Sequence, residues 1–326
     1  MLYREFGTTG WNISTIGMGT WNIGNQWGNI EEDVALATVR SAFENGVNLF
    51  DTAEGYGIPY GLSEERLGKA LKGIRDRVHI VTKIGSWGRR TGEGLPKNVD
   101  NIRLCLQAAL FRMRTDWADA VLCHEGDIED PTVYLEAFEQ MKEKGYLRAY
   151  GISTNDFEVL KRFNANKTCS IVEFDYSLLN RKAESHMLPY CLDHGIAVLV
   201  RGPLGQGLLS GKYGKETIFT DTIRAKWHKN ESKQAKLKQN IEAVTALQSY
   251  LKPSEDMATT ALRYVISHSA HPVAIPGAKS PQQAAMNAQA GDRLLSHQER
   301  ETLLQNLSTE KREGIPVGQP VTHIYP

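Results

Sequence analysis

Cysteine is scarce: Cys105, Cys123, Cys169 and Cys191 are the only four among 326 residues. They stand far apart, with no Cys-x-x-Cys and no histidine at ligand spacing, which argues against a disulfide framework, a dithiol motif or a zinc site. Reduced, mostly buried thiols and no bound metal are expected. No apolar stretch approaches the ~20 residues that span a bilayer. The opening Met1–Phe6 lacks the apolar core and cleavage site of a secretory signal, so a cytoplasmic location is expected. An excess of one charge is missing too: Lys+Arg and Asp+Glu number 38 each, a formal net charge of zero. That removes the electrostatic case for nucleic acid or an anionic membrane as partner. No linker interrupts residues 1–326, which are expected to form a single domain, since a barrel of this size can be one unit.

Short β-rich runs alternate with amphipathic ones. The predicted strands are Thr15–Gly19, Val47–Phe50, Val78–Lys83, Ala118–Cys123, Leu147–Ile152, Ser170–Phe174, Ala197–Val200 and Val273–Ile275. Between them lie predicted helices at Glu31–Asn45, Ser63–Leu71, Lys97–Arg112, Pro131–Lys144, Asp156–Asn164, Ala183–Asp193, Lys233–Tyr250 with Met257–Ser267, and Pro281–Ala290. Gly46, Gly145 and Gly195 each follow a helical run where a left-handed residue ends a helix. Strict alternation over eight units predicts an α/β fold, a (β/α)8 TIM barrel with parallel strands. Leu2–Phe6 and Trp11–Ser14 read as an N-terminal β-hairpin capping the amino end of the barrel. Ser210–Asn230 is long and polar and reads as a lid or binding loop. The tail after Leu307, rich in Gly and Pro, is left open between an ordered and a mobile segment.

Four titratable residues stand where an apolar run gives way to a polar loop. Asp51 and Tyr56 follow the second predicted strand, Lys83 closes the third and His124 follows the fourth. The carboxyl ends of barrel strands carry the active site. A tyrosine with an ordinary pKa of ~10 needs a neighbouring cation to serve as a proton donor near neutrality. Lys83 is expected to lower Tyr56 in this way, with Asp51 holding Lys83 charged and His124 orienting a carbonyl oxygen. For any one of these residues the alternative is purely structural, an ion pair or a satisfied core histidine. A Schiff-base role for Lys83 is disfavoured by the adjacent carboxylate, which keeps the amine protonated.

The chain has no dinucleotide fingerprint of the Rossmann kind. Gly205-Gln206-Gly207 continues to Gly211 with the wrong spacing and follows the seventh strand, and Gln206 stands where a phosphate loop ending in Gly211-Lys212 would need its first glycine. The segments Asp51-Thr52-Ala53-Glu54-Gly55-Tyr56-Gly57 and Ser63-Glu64-Glu65-Arg66-Leu67-Gly68 nevertheless resemble a signature of the aldo-keto reductase superfamily. So do Gly17-Met18-Gly19-Thr20-Trp21, Gly151-Ile152-Ser153, Gly202-Pro203-Leu204-Gly205-Gln206-Gly207 and Ile275-Pro276-Gly277-Ala278-Lys279-Ser280. The resemblance runs from about Leu2 to Leu307. It implies an NADPH-dependent oxidoreductase reducing aldehydes or ketones to alcohols, with Asp51, Tyr56, Lys83 and His124 as the catalytic set.

The resemblance further implies cofactor contacts at Gly19, Thr20, Trp21, Ser153, Glu173, Tyr176, Gly202, Pro203, Leu204, Gly205, Gly207, Gly277, Lys279, Ser280, Gln283 and Asn287. Glu173 occupies the place of the family's usual glutamine, and Tyr176 that of the residue stacking on the nicotinamide. Gln283 replaces a frequent arginine near the 2′-phosphate. Thr154 precedes Asn155, so the residue reaching the carboxamide stays open. An ionised Glu173 accepts hydrogen bonds but cannot donate them; it either carries its charge toward the cofactor, pairs with a cation such as Arg201 or Lys83, or is protonated. A substrate pocket is expected among Trp21, Trp27, Trp87 and Trp227. A regulatory barrel similar to channel-associated β subunits is the second functional reading.

Overall fold

A strand that returns to its sheet through a helix re-enters in the same direction, so alternation of the two elements forces parallel pairing. The computed structural model describes residues 1–85, 96, 98–251 and 255–308. Eight of its strands pair in chain order, every neighbouring pair parallel: β3 (Met18–Gly19), β4 (Leu49–Asp51), β5 (His79–Ile84), β6 (Ala118–Cys123), β7 (Leu147–Ser153), β8 (Ile171–Asp175), β9 (Ala197–Arg201) and β10 (Val273–Ala274). The ends of this sheet meet. Gly17 N–H donates to the Ala274 carbonyl at 2.8 Å, Ala274 N–H to Thr15 at 3.2 Å and Gly19 N–H to Pro276 at 3.2 Å, giving a nearly closed barrel.

The helices between strands are α1 (Glu32–Glu44), α2 (Leu62–Ala70), α3 (Val99–Met113), α4 (Thr132–Glu143), α5 (Phe157–Phe163), α6 (Met187–Asp193), α7 (Glu231–Tyr250) and α8 (Met257–Ile266); α9 (Pro281–Gln289) and α10 (His297–Ser308) follow the last strand. Gly46, Gly145 and Gly195 take φ of +90°, +79° and +64°, the left-handed conformation that ends a helix. Side chains on each strand alternate between two cores. Leu49, Val81, Ala120, Leu122, Ala149, Ile171, Ala197, Leu199 and Val273 fill the barrel, while Phe50, Ile80, Val121, Tyr150, Val172 and Val198 pack outward against helices. Each fully buried Val, Leu, Ile or Phe among them contributes roughly 1.5–3 kcal/mol.

The hairpin pairs β1 (Tyr3–Glu5) with β2 (Asn12–Ser14) antiparallel. Its Phe6 and Ile13 join the interior cluster, and Thr8 N–H donates to the Gly195 carbonyl just before β9, so it plugs the amino end. The first barrel strand is shorter than Thr15–Gly19 because Ser14 pairs in the hairpin and its hydroxyl donates to the Ile16 carbonyl at 2.7 Å. The predicted helix Ala183–Asp193 divides into a 3-10 turn at Lys182–Glu184 and α6. Helix α10 was not predicted. Its signal is the capping box of Ser296 and Glu299, in which Ser296 N–H donates to the Glu299 carboxylate at 2.7 Å and Glu299 N–H to the Ser296 hydroxyl at 3.2 Å. Lys97 and the tail beyond residue 308 lie outside the described residues. Among those described, no helix is long and apolar enough to cross a membrane.

Candidate active site

The strand pleat selects which side chains meet at the carboxyl end of the barrel. Two residues past the interior positions Leu49, Val81, Leu122 and Ile171 come Asp51, Lys83, His124 and Glu173, so each faces inward by the period of two. Lys83 is wholly buried and is the hub. Its ammonium donates to Asp51 Oδ1 at 2.5 Å, to the Thr52 carbonyl at 3.0 Å and to Tyr56 Oη at 3.2 Å. That uses all three donors of an ammonium. Glu173 Oε2 lies 3.1 Å from the same nitrogen as an ion pair without a hydrogen bond of its own, while Glu173 Oε1 accepts the Ser153 hydroxyl at 3.2 Å. Lys83 is thus a cation paired with Glu173; Arg201 stands in register with Asp175.

Tyr56 is brought to this cluster by a tight turn. Its N–H donates to the Ala53 carbonyl at 3.0 Å, and Gly57, at φ +126°, donates to Gln26 Oε1 at 2.9 Å. A Cβ at Gly57 would lie 2.7 Å from Leu62 Cβ and the Pro59 carbonyl, so the turn needs glycine. The Tyr56 ring meets the His124 ring edge-on at 6.0 Å. The backbone N–H of His124 donates to the Ile84 carbonyl at 2.7 Å, which continues the pairing of β5 and β6 up to this residue.

The motif on α2 holds these loops in place. Ser63 Oγ donates to the Thr20 carbonyl, Glu64 accepts from Thr82 and Arg112, and Arg66 donates to the carbonyls of Ile23 and Ile30 and to Asn25 Oδ1. A side chain at Gly68 would strike the Met113 carbonyl at 2.4 Å.

Burial and a second carboxylate reverse the expected electrostatics. Burial pushes Tyr56 up to about 12; Lys83 pulls it down, but Asp51 and Glu173 push the same way as burial. The expected lowering of Tyr56 by Lys83 is thus overcome, because the ammonium is shared between two carboxylates in a site shut off from water. Burial and the charge of Glu173 also raise the Asp51 carboxyl well above its usual range, against the pull of Lys83. For Lys83, burial acts downward, yet Asp51, Glu173 and Tyr56 prevail and hold it protonated.

Further residues line the same end. After β9 the chain turns through Gly202 at φ +63°, Gly205 at +55°, Gln206 at +54° and Gly207 at +93°, with Pro203 and Leu204 between. Gly19 and Gly277 bridge β3 to the segment after β10, where the Asn22 side chain occupies the space a Cβ on Gly277 would need. Ser280 caps α9 by accepting from Gln283 N–H at 3.2 Å, Gln283 Oε1 accepts from Lys279 N–H at 2.8 Å, and Asn287 donates to the Gly277 carbonyl at 3.3 Å. The half-buried Lys279 ammonium reaches the Trp27 carbonyl. Its pKa is lowered, first by burial and then by Arg224, with Asp221 opposing. Arg224 is a cation that motif reading missed, since it lies inside the irregular Ser210–Asn230 segment.

The match to known sequences decides the family. The aldo/keto reductase family model matches residues 15–305. The chain belongs to the aldo/keto reductase family. It is 32% identical to the aldo-keto reductase YhdN of Bacillus subtilis, over 98% of this chain and 96% of that one. The NADH-specific methylglyoxal reductase of Escherichia coli is 30% identical, over 87% of this chain and 91% of its own. Among solved structures, an aldo/keto reductase from Klebsiella pneumoniae in complex with NADP and acetate superposes with a TM-score of 0.69 at 27% identity, covering 91% of this chain and 92% of that one.

Within this aldo/keto reductase not every residue implied by resemblance reaches the mouth. Tyr176 is wholly buried, its hydroxyl donating to Glu184 at 2.7 Å and its ring lying 5.9 Å from that of Tyr264 on α8. Three residues on from inward Glu173, the pleat turns it outward, so its reading as a ring-stacking residue is corrected. Thr20 is buried with its N–H and hydroxyl both donating to the Asp51 carbonyl at 2.8 Å, a tie between β3 and β4. Asn155 Oδ1 accepts from Asp175 N–H at 2.9 Å and Thr154 donates to the Gly126 carbonyl, which leaves Ser153 beside Glu173.

Trp21 stacks on Tyr56 at 5.4 Å, and Trp27 stands edge-on behind it at 5.2 Å. Trp227 is buried against Phe219 at 5.2 Å, so its reading as a pocket wall is corrected: its ring is used in packing. Trp87 lies outside the described residues. Among those described, no group of three or more His, Cys, Asp or Glu is arranged to hold a metal.

Proposed function

We propose that the protein reduces aldehyde or ketone carbonyls to alcohols with NADPH, and that Tyr56 is the proton donor. The observation that carries this reading is the contact of Lys83 with Tyr56 Oη at 3.2 Å: because Lys83 donates to the phenol oxygen, the phenol's own hydrogen is left to be given elsewhere. A nicotinamide cofactor, when bound, supplies hydride to the carbonyl carbon. The residues fit such a group: an acceptor, Glu173 Oε2, that receives no hydrogen bond from the described residues stands beside Ser153 at one end, and at the other the helix start at Ser280 adjoins Lys279. His124 orients the substrate oxygen, Tyr56 protonates it, and Asp51 keeps Lys83 charged and fixed. Trp21, stacked on Tyr56, favours a flat or apolar substrate face.

Preference for the 2′-phosphate rests on Lys279 with Arg224 beside it, and is supported by the NADP held in the Klebsiella relative. The name of the E. coli relative shows that family membership alone does not carry that choice. The test is oxidation of NADPH followed across aromatic, aliphatic and sugar carbonyls. Saturable turnover with at least one class is expected. Tight NADPH binding without turnover on any of them would favour the regulatory barrel instead.

A further inference from the structure

We propose that Glu173 is a positioning residue which acts through Lys83 to keep Tyr56 a proton donor and to disfavour its phenolate, tilting the site toward carbonyl reduction over alcohol oxidation. This deepens the proposed function and rests on its reading of Tyr56. Glu173 is wholly buried in the middle of β8, and its carboxylate spans the barrel between Ser153 on β7 and Lys83 on β5. A lysine paired with Asp51 alone would present a neutral pair to the phenol. With Glu173 at 3.1 Å the same ammonium is divided between two carboxyl groups, and ionising Tyr56 would place another negative charge beside acidic groups that already compete for that one cation.

Among the described residues, the groups facing Tyr56 are Asp51 from β4, Lys83 from β5, His124 after β6 and Glu173 from β8; Asp175 and Arg201 stand in register at the ends of β8 and β9. Among the described residues, the positive charge in hydrogen-bond contact with the phenol is Lys83, which its acidic neighbours hold protonated. In reduction, hydride enters the carbonyl carbon from the reduced nicotinamide, the π pair moves to oxygen, and that oxygen takes the Tyr56 proton. In the reverse direction the phenolate must take the alcohol proton as hydride leaves for the oxidised nicotinamide. A site that resists phenolate formation therefore slows the second direction at a given pH.

The experiment is a pH titration of cofactor-free protein carrying 13C at the tyrosine ζ carbon, read by NMR, with the Tyr56 signal assigned by its loss in Tyr56→Phe. Wild-type Tyr56 is expected to stay protonated beyond the ordinary tyrosine value of ~10, and Glu173→Gln to bring its titration down by about one unit or more. Glu173→Asp, which retains the charge, should stay closer to wild type than Glu173→Gln. The basic limb of kcat/KM for reduction should move down in step in Glu173→Gln, with a gain in alcohol oxidation. A Tyr56 titration unmoved by Glu173→Gln would overturn the proposal. So would wild-type ionisation at or below ~10, an arm that decides the matter if the variant does not fold. Normal titration without carbonyl turnover would overturn the reaction and the directional bias together. Turnover with an unshifted titration would overturn the role of Glu173 alone.

Discussion

Tyr56 sits where a single oxygen separates binding from chemistry. Its ring stacks on Trp21 and lies under the Lys83 ammonium, 4.8 Å from the ring centre, so Tyr56→Phe keeps both packing contacts and removes only the hydroxyl. Carbonyl reduction is expected to fall by ~10² to 10⁴, the usual worth of one positioned general acid, with cofactor affinity nearly unchanged. Retention of more than half the turnover with chemistry rate-limiting would remove Tyr56 from the role. Asp51, Lys83 and His124 could be read from the sequence because each stands where an apolar strand gives way to a loop, and Tyr56 because it follows Asp51 on that loop. The effect of Lys83 on Tyr56 was not, because charges can be counted along a chain but burial and the second carboxylate cannot. Glu173 was legible as a departure from a motif; its partner became plain only once β5 and β8 faced each other across the barrel.

Loops that hold a ligand depend on the elements that brace them. Lys279 is anchored between the start of α9 and the loop after β3, and Arg224 approaches from the Ser210–Asn230 segment, whose Thr222 hydroxyl donates to the Gln26 carbonyl. Lys279→Ala should weaken NADPH far more than NADH, since only the former offers a phosphate to a cation. Arg224→Ala should act in the same direction, and Gln283→Arg in the opposite one. Direct binding titrations with both cofactors decide the matter, and equal losses for the two would place these cations elsewhere.

Loss of the Ser280 cap is a separate effect. Ser280→Ala should cost about 1 kcal/mol of stability through α9, read from the midpoint of urea unfolding. At this scale the strand and helix order was readable from alternation and from glycines past helix ends. Helix α10 was readable only from its capping box, its apolar pattern being weak; Tyr176 was misjudged because nearness to a strand end does not tell which way a residue points, and Trp227 because a loop aromatic can pack the loop itself.

The barrel divides its labour between two ends, with the hairpin plugging the amino end and the titratable cluster buried at the other. That burial makes the stability of the whole molecule depend on pH. Tyr56 has a folded pKa of about 12, above its unfolded value of ~10, so between those values the native state binds more protons than the unfolded one. The stabilisation is fully present below pH ~10 and is lost as pH rises through ~12; a shift of about two units is worth roughly 2–3 kcal/mol. Burial raises Tyr134, Tyr150 and Tyr176 as well, so the total loss in this window is steeper than one residue supplies. Urea unfolding followed from pH 8 to 11.5 should show wild-type stability falling more steeply above pH ~10 than that of Tyr56→Phe, by as much as one proton's worth of slope. The two curves should run parallel below that point, where Tyr56 is protonated in both states. Equal slopes above pH ~10 would mean that Tyr56 titrates alike folded and unfolded, and that burial among the acidic groups does not act on it.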